Sequence, residues 1–203
     1  MDIKTILNLI DLGKIALPEF QRGYVWNRDQ VRSFIDSLYR RHPTGGLLIW
    51  STTRETAKAR GDSDGYGDTV DLLLDGQQRM TTLYGIVRGR PPKFFDGNDR
   101  AFTGLYFNLD EESFEFYAPA KMKDNPLWVS VTAVMKHGAA EAVKPFLTSP
   151  DLLPRAAVYL DRLNKLNKIV DTDIHIDYVT GEDMSIDIVV DIFNKVNSGG
   201  TKL

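Results

Sequence analysis

The sequence predicts a mixed α/β domain, with a small and partly antiparallel sheet packed against a helical subregion from about residue 133. Three observations lead there. Short apolar runs near residues 15, 47, 72, 105 and 114 have strand length and turn residues at their ends. Amphipathic stretches of helical period separate some of these runs but not others. The strict strand–helix alternation of a doubly wound parallel sheet is therefore missing.

The elements follow in order. Ile3, Ile6, Leu7 and Ile10 share one face of a short helix over 3–11. Ile15 to Leu17 form a brief strand before Pro18. Asn27 is placed to cap a second helix, with Gln30 in the reciprocal position and Val31, Phe34, Ile35 and Leu38 as the buried stripe. Pro43-Thr44-Gly45-Gly46 ends it, and Leu47 to Trp50 make the next strand. Residues 51–68 are polar and glycine-rich toward the end, which predicts a mobile loop. Asp62, Asp64 and Asp68 give that loop the composition of a calcium site without EF-hand spacing.

Leu72 to Leu74 are a buried strand, Asp75-Gly76 a tight turn, and Leu83, Ile86 and Val87 the buried face of the helix that follows. Leu105 to Leu109 and Phe114 to Tyr117 flank Asp110-Glu111-Glu112 as a hairpin, and Trp128 to Val131 suit another strand. Residues 133–168 are helical in pieces broken near Pro145 and Pro150. Ile174, Ile176 and Tyr178 alternate with Asp173, His175 and Asp177 as in a half-buried strand. Ser185 caps a final helix carrying Ile188, Val189, Ile192, Phe193 and Val196, which Asn197-Ser198-Gly199-Gly200 terminates. The expected division is a core over 1–132 and a helical subregion over 133–203 that completes the site and continues past the last residue.

Composition narrows the function. The 203 residues contain no cysteine, so disulfides, cysteine-ligated zinc and thiol nucleophiles are excluded. No apolar run reaches membrane-spanning length and the N-terminus lacks a signal-peptide pattern, so the expected location is the cytoplasm, with no membrane partner. A net charge of −3 argues against a broad nucleic-acid surface. The charge is uneven: residues 1–60 hold 10 Lys+Arg against 6 Asp+Glu, a net of +4, and the remaining 143 hold 15 against 22, a net of −7. Arg22, Arg28, Arg32, Arg40 and Arg41 are thus either a local basic groove or a solvated face.

The chemistry concentrates at Asp75-Gly76-Gln77-Gln78-Arg79. A helix start offers unpaired N–H groups and a positive dipole end, both suited to phosphate. Arg79 in the first turn either forks a phosphate or pairs with Asp75 to lock the turn. Gln77 and Gln78 do not titrate, and either orient a water or phosphate oxygen or cap the backbone. Asp75 is the ionisable member, placed for a divalent cation, a water or Arg79. Thr81 and Thr82 follow one turn later, facing the site or back-bonding to the helix.

Gln21 and Arg22 lie beside Tyr24 and Trp26, which either stack on a base or seal the core, while Phe20 is a core residue. Asn194 and Asn197 share a face of the last helix. His42, His137 and His175 have no metal-ligand spacing, so no metal ligands are assigned. Neither a P-loop nor a Gly-x-Ser-x-Gly elbow is present.

Three stretches carry a family resemblance: Phe20-Gln21-Arg22-Gly23-Tyr24-Val25-Trp26, Asp75-Gly76-Gln77-Gln78-Arg79-Met80-Thr81-Thr82-Leu83, and Phe193-Asn194-Lys195-Val196-Asn197-Ser198-Gly199-Gly200-Thr201-Lys202-Leu203. In this order they resemble the N-terminal domain of GmrSD-type restriction proteins. The resemblance implies a ParB/sulfiredoxin-like fold and a place in nucleotide-dependent restriction or phage defence. Gly76-Gln77-Gln78-Arg79 matches the Gly-x-x-Arg segment that ParB-like folds place at a phosphate site, and the Asn197 segment is expected to face it. The implied cofactor is an NTP with Mg2+. It would be bound by Gln21, Arg22, Gly76, Gln77, Arg79 and Asn197, with Asp75, Gln78 and Arg79 as the catalytic set. The implied partners are DNA and a nuclease or effector domain. Alternatives are a ParB-like DNA nuclease and a non-enzymatic nucleotide-gated adaptor.

Overall fold

Helix α1 (Ile3–Asp11) forms behind a side-chain cap: Asp2 Oδ1 accepts the Thr5 N–H at 2.7 Å, and Ile3, Ile6, Leu7 and Ile10 are buried. The computed structural model describes residues 1–56, 68–181 and 184–198, apart from the side chains of 197 and 198. Strand β1 (Ile15–Ala16) leads to helix α2 (Arg28–Tyr39), whose start has the expected reciprocal cap. Asn27 Oδ1 accepts the Gln30 N–H, and Gln30 Oε1 accepts the Asn27 N–H, each at 3.0 Å.

Strands β2 (Leu47–Thr53) and β3 (Thr69–Asp75) then pair antiparallel. Ser51, Thr52 and Thr53, expected in the loop, extend β2 by pairing with Asp71, Val70 and Thr69. Residues 57–67 of that loop, including Asp62 and Asp64, lie outside the described residues, and the Arg54 N–H donates to the Asp68 carbonyl at 2.9 Å across its base. Helix α3 (Gln77–Arg88) starts two residues beyond β3.

Strands β4 (Leu105–Asn108) and β5 (Ser113–Phe116) form the expected hairpin. Helix α4 (Pro119–Met122) and strand β6 (Trp128–Ser130) follow. Val131, expected in the strand, opens helix α5 (Val131–His137), because Ser130 Oγ caps the Ala133 N–H at 3.3 Å. Helices α6 (Ala139–Ala142), α7 (Lys144–Thr148) and α8 (Ala156–Asn167) complete the helical run. Strand β7 (Ile176–Val179) and helix α9 (Ile186–Ser198) end the described chain.

The fold class is thus mixed α/β as expected, although the strands divide between two small sheets among the described residues. One has the order β1-β3-β2-β7, with β1 and β7 parallel to their neighbours, and the other is antiparallel in the order β5-β4-β6. Leu47, Ile49 and Leu73 face a core shared with α1, α2, α3 and α8. Trp50, Val70, Leu72 and Leu74 face the other way and pack beneath Val189 of α9. The β2–β3 ladder shifts register between Leu48 and Ile49, opposite the end of β3 where Asp75 emerges.

Two side-chain patterns differ from expectation. Ile188 and Val196 are exposed, because α9 meets the sheet through Val189 with Phe193 beside it, and Ile188 lies about 100° around the helix. Tyr178 is exposed as well: β7 is an edge strand, and Ile174, just before it, takes the buried position.

Glu112 at the hairpin turn joins α2 to α8. Its carboxylate accepts the Tyr39 hydroxyl at 2.5 Å and meets Lys165 and Arg162, each at 3.3 Å. The Tyr39 hydrogen bond first, then Lys165, holds the Glu112 carboxyl below its ordinary 4.5. A depressed carboxyl pKa stabilises the fold above the unfolded value, and that contribution is lost as pH falls through the folded value. Glu112→Gln is expected to cost about 1 kcal/mol near neutral pH, allowing for solvent screening. It should also flatten the acid loss of stability between about pH 5 and pH 3, measured by urea denaturation across that range.

Candidate functional site

The β3–α3 junction builds the site from two backbone facts. Gly76 has φ 93°, and a Cβ there would lie 2.2 Å from Leu47 Cδ2, so the left-handed turn and its close packing both require glycine. No side chain caps α3, and the first N–H accepted within the helix is that of Met80, at 3.0 Å from the Gly76 carbonyl. The N–H groups of Gln77, Gln78 and Arg79 therefore have no protein partner among the described residues. They sit at a cleft of about 660 Å3 whose walls include Asp75, Gly76, Gln77, Gln78 and Arg79, with Gln21, Arg22 and Trp26 opposite.

Seven of the expected site residues thus come together: Gln21, Arg22, Asp75, Gly76, Gln77, Gln78 and Arg79. The Asn197 side chain lies outside the described residues, but Phe193, one turn earlier on α9, lines the cleft. Phe20 also lines it and is 42% exposed, so it is not the core residue expected from its apolar character. Nothing local in the sequence separates Phe20 from a core phenylalanine. The signal is its neighbour Gln21, which is buried and ties this loop to β3 through an Nε2 donation to the Leu74 carbonyl at 2.8 Å.

The polar groups divide into fixed and unengaged. Gln77 Nε2 donates to the Arg22 carbonyl at 2.7 Å. Gln78 uses both ends of its carboxamide: Oε1 accepts the Val25 and Trp26 N–H groups at 2.9 and 3.2 Å, and Nε2 donates to the Gly23 carbonyl at 3.3 Å. The two glutamines thereby hold the 22–26 loop against α3.

Arg79 holds the other loop. Its Nη1 donates to the Thr44 carbonyl at 2.5 Å, and its Nη2 to the Gly46 carbonyl at 2.7 Å and to Asp75 Oδ2 at 3.2 Å. Three of its five N–H donors are engaged in these contacts. Burial draws its pKa down and the Asp75 charge opposes this; the guanidinium stays protonated. The Pro43-Thr44-Gly45-Gly46 stretch makes the contact possible, since a Cβ on Gly45, at φ 81°, would lie 2.7 Å from Nη1.

Arg22 is the contrast. It is exposed, it lines the cleft, and its guanidinium has no hydrogen-bond or ion-pair partner among the described residues. The Asp75 side chain is 44% exposed, and its Oδ2 accepts from Arg79.

The open alternatives for the remaining residues now resolve. Tyr24 is core: its ring meets Phe102 edge-on at 5.5 Å and its hydroxyl shares a hydrogen bond with buried Thr82 at 2.8 Å. Burial pushes the Tyr24 hydroxyl up to about 12. Thr81 is also buried. Trp26 is half-buried against Phe34 at 5.4 Å and remains on the cleft wall.

Of the five arginines of the expected basic groove, three are engaged within the protein: Arg32 pairs with Asp29, Arg40 with Asp36, and Arg28 lies over the Phe116 ring at 4.7 Å. His42 and His175 flank a separate cleft, with His175 on Asp177 at 3.0 Å. No group of three or more acidic, histidine or cysteine side chains is placed to hold a metal among the described residues. No described helix is long and apolar enough to cross a membrane.

Comparison with known proteins completes the picture. Uncharacterized protein MJ0686 of Methanocaldococcus jannaschii is 34% identical over 96 residues, which cover 41% of this chain and 17% of that protein. The chain therefore matches a small part of that relative's length. A family model described as GmrSD restriction endonuclease, N-terminal domain, matches residues 3–203. With nearly every residue inside that match, including the whole Gln-Gln-Arg site, the chain belongs to the GmrSD restriction endonuclease N-terminal domain family.

Proposed function

We propose that the chain is a nucleotide-binding module of a cytoplasmic DNA restriction or phage-defence system, with a ParB/sulfiredoxin-like core. One observation carries the reading: the uncapped start of α3 opens into a cleft that also holds the unpartnered Arg22 guanidinium. Three backbone N–H groups, the helix dipole and an exposed cation suit a phosphate chain. Arg79 shapes this floor by fixing the 44–46 loop, and its charge lies on the cleft wall. Mg2+ fits the donor set as a partner of the phosphates, because one carboxylate, Asp75, is enough when phosphate oxygens and waters supply the other ligands.

Hydrolysis of the nucleotide is the activity assigned to this site. Arg22, Arg79 and the α3 N–H groups stabilise charge at the transferring phosphoryl group, and Asp75 Oδ1 orients the water or the metal. Gln78, whose carboxamide is spent on the 23–26 backbone, contributes by holding that wall. A second reading, a nucleotide-gated adaptor for an effector domain, is favoured by the sparse set: Asp75 is the single carboxylate lining the cleft among the described residues. DNA and a nuclease or effector domain are the partners of either reading. In a third, nuclease reading, Asp75 would serve DNA cleavage.

Calorimetry with ATP, GTP, CTP and UTP, with and without Mg2+, tests binding. Arg22→Ala is expected to weaken it about tenfold, the value of one charge-assisted contact, with unchanged thermal stability. Phosphate release by wild type and Asp75→Ala then separates the readings. Loss of turnover with retained binding supports the enzyme. Tight binding without phosphate release, with DNA present, supports the adaptor. Plasmid nicking abolished by Asp75→Ala would favour the nuclease.

A further inference from the structure

We infer that this cleft selects its ligand by phosphate chain and aromatic stacking and is indifferent to which base the nucleotide carries, with Phe20 as the stacking residue; the inference rests on the nucleotide reading above. A site that reads a base needs hydrogen-bonding groups free to meet its edge. Among the described residues the neutral candidates in this cleft are three carboxamides, and each is tied to backbone by at least one hydrogen bond. Gln21 Nε2 is on the Leu74 carbonyl, Gln77 Nε2 on the Arg22 carbonyl, and Gln78 on Val25, Trp26 and Gly23. The charged candidates, Arg22, Asp75 and Arg79, lie with the α3 start and would be taken by the phosphates and their metal.

What the cleft offers a heterocycle is ring faces. Phe20 is 42% exposed although it borders a cleft, and Trp26 and Phe193 line the same space. An exposed phenylalanine beside a phosphate-suited helix start is costly in water and useful against a flat apolar ligand. Every base has such a face, so stacking tolerates all four, whereas sites built on hydrogen bonds to an edge reject the wrong partner by large factors. Phe20 also lies two residues from Arg22 on one loop, so a single segment presents both the stacking ring and the phosphate-binding cation.

The test is calorimetry of the 203-residue chain with ATP, GTP, CTP, UTP and inorganic tripolyphosphate, for wild type, Phe20→Ala and Phe20→Trp. The four nucleotides are expected to bind wild type within about fivefold of one another. Phe20→Ala should weaken all four about tenfold, leave tripolyphosphate within about twofold, and keep the melting temperature, since the ring is half out of the fold. Phe20→Trp should restore nucleotide affinity. One base preferred by about a hundredfold, or Phe20→Ala binding all four as wild type does, overturns the inference and leaves the nucleotide reading standing. Wild type that binds tripolyphosphate as tightly as any nucleotide also overturns it, while keeping the anion site. Wild type that binds none of the five overturns the nucleotide reading and this inference together.

Discussion

Arg79→Ala is expected to lower stability by about 2–4 kcal/mol and to abolish nucleotide binding. The substitution removes donors from the Thr44 and Gly46 carbonyls and from Asp75 in one step. Those carbonyls lie 35 and 33 residues upstream, so the loss releases the α2–β2 connection from the sheet end. A charge-assisted hydrogen bond contributes about 1.5–3 kcal/mol, and partial access of water to the emptied site offsets part of the loss. Arg79→Lys should recover little, because one ammonium cannot reproduce the fork that spans two carbonyls and a carboxylate. Chemical denaturation of wild type, Arg79→Ala and Arg79→Lys measures this directly. Stability of Arg79→Ala within about 0.5 kcal/mol of wild type would show that the loop does not depend on the guanidinium.

Gly76→Ala is expected to cost about 2–5 kcal/mol, against little effect at exposed positions. The left-handed conformation at φ 93° costs an L-residue about 1–2 kcal/mol. The added methyl also meets Leu47 Cδ2 at 2.2 Å and Arg79 Nη2 at 3.2 Å, and overpacking of this kind adds about 1–3 kcal/mol. Leu47 is buried at the start of β2, so it cannot swing into solvent. Relief has to come from movement of the α3 start, which misaims the three N–H groups toward the cleft. Reduced nucleotide affinity should therefore accompany the lower melting temperature. A folded Gly76→Ala protein with native stability and affinity would contradict the geometry of the turn.

The two substitutions act on residues whose importance the sequence already signalled, though for reasons it did not contain. Asp75-Gly76 between an apolar run and a helical pattern marks a strand-to-helix junction, and Gln77-Gln78-Arg79 marks it as polar. The roles of those three side chains depend on partners far along the chain. Gln78 meets Val25 and Trp26, 53 and 52 residues away, and no local pattern predicts that its carboxamide would be used up there. Arg79 carried two readings, phosphate fork or lock on Asp75. The structure adds a third partner set, the backbone of Thr44 and Gly46, which makes it mainly a strut and leaves Arg22 as the unengaged cation of the cleft among the described residues.

The sequence by itself determined the features that arise within a few residues. These include the Asn27–Gln30 cap, the buried stripes of α1 and α2, the β4–β5 hairpin, and the glycine that lets β3 turn into α3. Each follows from side-chain periodicity or from backbone groups that a neighbour can satisfy. Only the tertiary structure decided how the strands divide into two sheets, that β7 returns to pair with β2, and that α9 covers the far face through Val189. It alone placed Phe20 at the cleft rather than in the core and closed Tyr24 onto Thr82. The physical reason is range: hydrophobicity says that a phenylalanine seeks burial, but which phenylalanine is left over is settled only once distant segments have taken the available interior.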